Sequence, residues 1–273
     1  MLLLDTLYAL SGSERIIFQG GTALRWVYGG NRFSEDLDFV TPLPLRNIQS
    51  LLATLAGRMK NACIAQFGPG TAEMKPKTGR ESSLKAFYVY RPNNQRERIA
   101  VKMEFERLAG GALPESRRHI LRDLPHVPGL IAAGRLVLPY TSSILVVETA
   151  EEILSDKIRA LFERKFLKGR DVYDLWWLST QMSVHVSRPL VERKMGLYQA
   201  VFTPERDLSS FQDVIAADAL QEALRTDLPR FIPAAILSVY QEANFAPFVD
   251  AVRKVTAELI KQGMAAFDFS ATK

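Results

Sequence analysis

The chain is poor in the features that would force an extracellular or membrane reading. It has one cysteine, Cys63, so no internal disulfide can staple it; the fold has to rest on an apolar core, which suits a reducing compartment. No stretch approaches the roughly 20 unbroken apolar residues that a membrane-spanning helix needs. The opening MLLLDTLYAL is apolar but short, Asp5 interrupts it, no basic segment precedes it, and no small-residue cleavage site follows. It is therefore expected to be a short core helix and not a signal peptide, and the expected location is the cytoplasm, with no membrane partner. Internal repeats and low-complexity tracts are absent as well, so a stacked-repeat architecture is excluded.

What is present is ordinary for a folded, water-soluble protein: 273 residues, 47% hydrophobic and 24% charged. That length allows one large domain or two modest ones. The formal net charge of +5 and pI near 9.3 bias the chain mildly toward polyanions such as nucleotides or nucleic acid, although many basic enzymes bind neither.

Hydrophobic patterning divides the chain. Residues 2–10 read as a short helix, 15–18 as a β-branched and aromatic strand, 22–28 as a helix, and 37–40 as a strand ended by Pro42 and Pro44. Ile48, Leu51, Leu52, Leu55 and Met59 recur at helical spacing across residues 45–67. Residues 68–80, rich in Gly, Pro and Lys, read as a loop; strands are expected near 84–90 and 99–106, with a polar turn at 91–98 between them. Residues 110–134 read as loop, followed by extended segments near 136–140 and 144–147. Thr149 and Glu152 have the spacing of a capping box, in which hydroxyl and carboxylate satisfy each other's backbone N–H, and the pattern after them is helical with breaks near 179–187, 203–204 and 229–233. The expected organisation is a mixed α/β half, residues 1–148, followed by an all-helical half, residues 149–273.

Two motifs carry the chemistry. In FQGGTAL (residues 18–24) a glycine pair stands where a strand turns into a helix. Glycine lets backbone approach an anion without a Cβ clash, the free N–H groups of a helix start point at it, and Thr22 adds a hydroxyl. Alone, Gly20-Gly21-Thr22 is more often a plain turn. In RFSEDLDF (residues 32–39) Asp36 and Asp38 alternate with Leu37 and Phe39, so the carboxylates share one face of a strand while the apolar residues face the core. Paired carboxylates repel unless a cation sits between them, and hard oxygen ligands favour Mg²⁺. A solvated acidic turn would explain the charges but not their alternation with core residues. A phosphate cradle beside a metal pair is equipment for phosphoryl transfer.

These residues, over 18–39, resemble the AbiEii/AbiGii toxin branch of the nucleotidyltransferase superfamily, which includes the MenT toxins. The resemblance implies an α+β fold: an N-terminal polymerase-β-like nucleotidyltransferase core, a mixed sheet flanked by helices, followed by an all-helical C-terminal region. It implies a metal-dependent enzyme, using Mg²⁺ or Mn²⁺, that moves a nucleoside monophosphate from an NTP to an acceptor. It further implies the toxin of a bacterial toxin–antitoxin, abortive-infection system with a cognate antitoxin, and, as for MenT-type relatives, tRNA 3′ ends as acceptor. Nucleotide-binding residues are then Gly20, Gly21, Thr22, Arg32, Ser34 and Arg164. Such folds draw a third metal carboxylate from a neighbouring strand. In VKMEFE (residues 101–106) Lys102, Glu104 and Glu106 share a face, and Glu104, in mid-strand, is preferred to Glu106; a half-exposed strand with solvated charges reads equally well.

Further on, Lys157 and Arg164 lie seven apart on the capped helix, and RDVYDLWW (residues 170–177) follows. Lys157 can neutralise triphosphate charge, and Asp171 can orient Lys157 or accept a proton from the incoming hydroxyl. An ordinary amphipathic helix is the plainer reading, but the order Lys-x₆-Arg, then Arg-Asp-x-Tyr-Asp-Leu, is similar to the second signature of the same family. That likeness makes Lys157 and Asp171 functional alongside Asp36 and Asp38, with Asp174 as competitor for the aspartate role. Trp176 and Trp177 read as core. The segment before the first strand is short for the family, which leaves the start of the chain open, and residues 110–134 carry no family signature. Three other functions remain in play: a small-molecule nucleotidyltransferase of the antibiotic-modifying type, a non-catalytic nucleotide- or RNA-binding module, and, more weakly, a sugar transferase with an Asp-x-Asp metal site.

Overall fold

The structure is a computed structural model, and it describes residues 1–78, 81–94, 96–140 and 142–267. The chain divides into two units, Met1–Gly29 with Glu35–Thr149, and Gly30–Ser34 with Ala150–Lys273.

The first unit runs α1 (Leu2–Tyr8), β1 (Ile17–Gln19), α2 (Gly20–Val27), β2 (Leu37–Thr41), α3 (Leu45–Phe67), β3 (Gly70–Thr78), β4 (Ser83–Pro92), β5 (Ile99–Arg107), β6 (Ser116–Ile120), α4 (Val127–Ala132) and β7 (Ile144–Glu148). Its strands form one mixed seven-stranded sheet in the order β3-β4-β5-β2-β1-β7-β6. β1 pairs antiparallel with β2 and parallel with β7, and β2 runs parallel to β5. Register explains why the short β1 holds the centre. Phe18, Phe39 and Phe105 are partners across β1, β2 and β5, fully buried, with ring centroids 5.4 and 5.0 Å apart. Truncating one such ring to alanine costs roughly 3–5 kcal/mol. Because side chains alternate, the residues beside these rings, Gln19, Asp38 and Glu104, form a second register row on the opposite face. Helix α3 buries Ile48, Leu52, Leu55, Met59, Ala62 and Cys63, a stripe at 3.6-residue spacing.

Two loop expectations are corrected here. Within 68–80, Gly70–Thr78 is the edge strand β3; residues 79 and 80 lie outside the described residues. An edge strand has one partner, so Pro76 needs no outward N–H, and Glu73, Lys75 and Lys77 keep that edge charged against further pairing. Within 110–134, β6 pairs antiparallel with β7 and α4 follows. Conversely, the segment 136–140 forms no strand; Arg122 holds the carbonyls of Leu138 and Tyr140, and Asp5 accepts the Tyr140 N–H.

The second unit is built from α5 (Ala150–Glu163), α6 (Gly169–Trp176), α7 (Arg188–Leu197), α8 (Val214–Asp227), α9 (Ala234–Glu242) and α10 (Ala246–Lys261), with one π-helical turn, Trp177–Gln181, continuing α6. Helix α6 packs on α5, α8 and α10. At its start Gly169 abuts the Ala223 carbonyl and the Leu224 backbone of α8, where a Cβ has no room. Tyr173, Trp176, Tyr240 and Phe248 form an aromatic cluster with centroids 4.7–6.5 Å apart, so Trp176 is core as expected and Trp177 is half-buried. Glu152, read as half of a capping box, has its carboxylate paired with Lys194 at 3.0 Å and with Arg193. Among the described residues no helix is long and apolar enough to cross a membrane.

Candidate active site

In the first unit the glycine turn and the carboxylate pair lie against each other. Gly20 and Gly21 are the first two residues of α2. Gly20 has φ +77°, a left-handed conformation, and a Cβ built on it would stand 2.7 Å from Asp38 Oδ2. Only glycine allows both the backbone turn and the close approach of this carboxylate. Thr22 Oγ1 donates to the Asp36 carbonyl, which ties the start of α2 to the residue just before β2. The N-cap residue of α2, Gln19, makes no side-chain cap hydrogen bond.

Asp38 is in register with Glu104, whereas Glu106 is opposite Val40. Glu104 therefore lies beside Asp38 on the polar face of the sheet, and Glu106 lies two residues further along. Sequence reasoning had not assigned Lys102 a role. Its ammonium is 2.9 Å from Asp36 Oδ2 and also contacts Glu104, while Lys85 reaches Glu104 at 3.0 Å. Burial pushes Glu104 up, but hydrogen bonds from Lys102 and Lys85 outweigh it and hold its carboxyl below the usual range. Burial likewise opposes the charge on Lys102, yet the hydrogen bonds to Glu104 and Asp36 keep it more firmly protonated than a free lysine.

Among the described residues no three carboxylate, histidine or cysteine side chains gather closely enough to cage a metal by themselves. The donor set still fits a hard divalent ion. Asp36, Asp38 and Glu104 offer only oxygen, a cation already bridges Asp36 and Glu104, and Mg²⁺ takes its remaining ligands from water and phosphate.

The second unit carries a buried charge network. Lys157 is 2.9 Å from both Asp171 Oδ1 and Asp174 Oδ2. Arg32, contributed by the Gly30–Ser34 strap, forks onto Asp174 at 2.5 and 2.6 Å. Arg164 Nε lies 2.9 Å from Asp171 Oδ2, an ion pair whose alignment is too poor for a hydrogen bond. Burial would raise both aspartates, but Lys157 with Arg164 holds Asp171 far below the usual carboxylate range, and Lys157 with Arg32 lowers Asp174. Burial opposes the charge of Lys157 too, and the two aspartates raise its proton affinity in spite of it. Lys157 is shared equally between Asp171 and Asp174. Asp174 is the clamp on Arg32. The strap is held further by Tyr173 donating to Asn31 at 2.6 Å and by the Phe33 N–H donating to the Phe231 carbonyl at 2.8 Å. Around the buried Phe231 ring lie the guanidiniums of Arg32, Arg170 and Arg230 at 5.5–5.7 Å. Ser34 is half-buried in the same strap.

A family model for the nucleotidyl transferase AbiEii toxin of type IV toxin–antitoxin systems matches residues 2–254. The chain belongs to that family. Two solved structures share the fold of this AbiEii toxin. JHP933 from Helicobacter pylori is 20% identical with a TM-score of 0.57, over 96% of this chain and 90% of that one. A presumptive nucleotidyltransferase from H. pylori is 19% identical with a TM-score of 0.55, over 96% of this chain and 93% of that one. No curated protein sequence matches the chain. The family spans both the sheet unit and most of the helical unit, so both charge clusters lie within the matched AbiEii residues.

Proposed function

We propose that this AbiEii toxin is a metal-dependent nucleotidyltransferase that places a nucleoside monophosphate from an NTP on tRNA 3′ ends. One observation carries the reading: the Asp38 carboxylate packs against the α-carbon of Gly20, in register with Glu104, so an acidic metal face and a phosphate turn are one construction. Asp36, Asp38 and Glu104 would hold Mg²⁺ or Mn²⁺, which when bound would polarise the phosphates and offset their charge. Gly20, Gly21 and Thr22 bring the backbone of the α2 start to the triphosphate, with Arg32, Ser34 and Arg164 as further nucleotide contacts. Lys157, oriented by Asp171, neutralises charge as the 3′ oxygen bonds to the α-phosphorus, its proton passing to solvent water, and pyrophosphate leaves with the bond electrons. A toxin acting on tRNA works in the cytoplasm and needs a cognate antitoxin in the producing cell.

The test is to incubate the protein with each α-labelled NTP, Mg²⁺ and total tRNA, alongside Asp38→Asn. Label should appear at tRNA 3′ ends and fall by at least ~10²-fold in the variant, since metal electrostatics supply several kcal/mol. Label on an aminoglycoside-like compound with none on RNA overturns the tRNA reading in favour of a small-molecule transferase.

A further inference from the structure

Between α5 and α6, Lys165, Phe166 and Lys168 are not explained by the fold or by the phosphate chemistry above. Residues 164–170 read RKFLKGR: four basic residues, no acidic one, and a phenylalanine. Phe166 is 74% exposed, with the Lys165 ammonium 5.7 Å from its ring centroid. A lone exposed hydrophobe is ordinary. Three things set this one apart.

First, its backbone is pinned. Arg206 spends its guanidinium on the carbonyls of Leu161, Arg164 and Lys165, the last at 2.7 Å, and the Glu205 N–H donates to Phe162 O at 2.7 Å. Gly169 fixes the other end against α8. The ring is thus held out in water on a rigid support. Second, like charges are crowded there. Burial lowers the proton affinity of Lys168, repulsion from Arg164 and Arg170 lowers it further, and Asp171 and Asp227 offset only part of this. An assembly that tolerates such repulsion gains from a polyanion. Third, the segment leads directly into Asp171, which Arg164 and Lys157 share.

We propose that residues 164–168 form a docking platform for an unpaired nucleic-acid strand, with Phe166 stacking on a base and Lys165 and Lys168 meeting the flanking phosphates. This names a binding surface for the acceptor and so rests on the transferase reading for its role, though not for its existence. Aromatic stacking on bases is tolerant of sequence, and basic side chains beside it track the backbone.

The experiment measures binding of the full chain to a fluorescein-labelled ten-nucleotide single-stranded RNA by anisotropy, and NTP affinity by calorimetry. F166A should weaken RNA binding about 5- to 100-fold and F166W should restore it, as stacking requires. K165A with K168A should reduce the slope of log affinity against log salt by about 1.4, two phosphates on a single strand. NTP affinity should be unchanged in F166A, whose exposed site leaves the fold intact by circular dichroism. RNA binding unchanged in F166A, or F166A failing only to bind an acidic protein partner, overturns the platform. A chain that binds RNA through Phe166 yet never labels RNA from any NTP leaves the platform standing and overturns the transferase reading instead.

Discussion

Asp174→Asn tests the charge network at its most buried point. Asp174 is fully buried and Arg32 is 4% exposed, and both carboxylate oxygens are used, one by Arg32 alone and the other by Arg32 and Lys157. Asparagine keeps the shape and removes the charge. Arg32 then loses its charged fork and Lys157 one of its two carboxylates, with the Arg32 guanidinium still buried. Breaking a buried pair from one side costs about 3–5 kcal/mol. With a urea m-value of about 2 kcal/mol per molar for a helical unit of this size, the midpoint should fall by roughly 1.5–2.5 M. The three tryptophans make the assay specific: Trp176 and Trp177 follow Asp174 by two and three residues, and Trp26→Phe removes the one on α2. Fluorescence then reports the helical unit. Asp171→Asn should cost less, because Arg164, with a side chain 39% exposed, can turn to solvent. Replacing both members of the fork with apolar residues, Arg32→Met with Asp174→Leu, should recover much of the loss. A midpoint shift under about 0.3 M for Asp174→Asn would refute the reasoning, since it would mean that the buried guanidinium tolerates a neutral neighbour.

Acid should act on the same network. Asp171 and Asp174 have folded-state values depressed below their unfolded ones, so their stabilisation is complete above the ordinary aspartate range and fades as pH falls below about 4; a urea midpoint for the helical unit that stays flat from pH 5 to pH 2.5 would contradict this. Gly20→Ala places a Cβ 2.7 Å from Asp38 Oδ2 at φ +77°, and should lower turnover at least ~10-fold while costing about 1–2 kcal/mol of stability; unchanged turnover in a folded variant would remove Gly20 from the site. Lys102→Met takes away the cation shared by Asp36 and Glu104, so Mn²⁺ affinity of the free protein, read by calorimetry, should rise; an unchanged affinity would separate these carboxylates from the metal.

Local patterns reached the elements whose causes are local. Helix α3 spans residues 45–67 as expected, because Ile48, Leu52, Leu55 and Met59 mark its buried stripe without outside help. Strand β3 escaped, because Gly70, Pro76 and the lysines describe a loop until a single neighbour makes an edge strand of them. At the candidate site, the faces of Asp38 and Glu104 were legible from alternation, but their adjacency depends on the β2–β5 register, which no local pattern encodes. The same register sets Lys102 beside Asp36, so a residue already on the right face went unnoticed. Asp174 could be named only as a rival of Asp171; its partner Arg32 lies 142 residues away.

That separation has a consequence in time. The strap Gly30–Ser34 emerges early in synthesis but belongs with helices made much later. At about 5–20 residues per second, the 142 residues between Arg32 and Asp174 take on the order of 7–28 s to appear. Throughout that interval the guanidinium waits in solvent, and the helical unit lacks one of its counter-charges. A fragment beginning at Ala150 would carry Asp174 without Arg32 and should not reproduce the native unit. The buried charge network therefore cannot close before Asp174 is synthesised, a delay set by chain order alone.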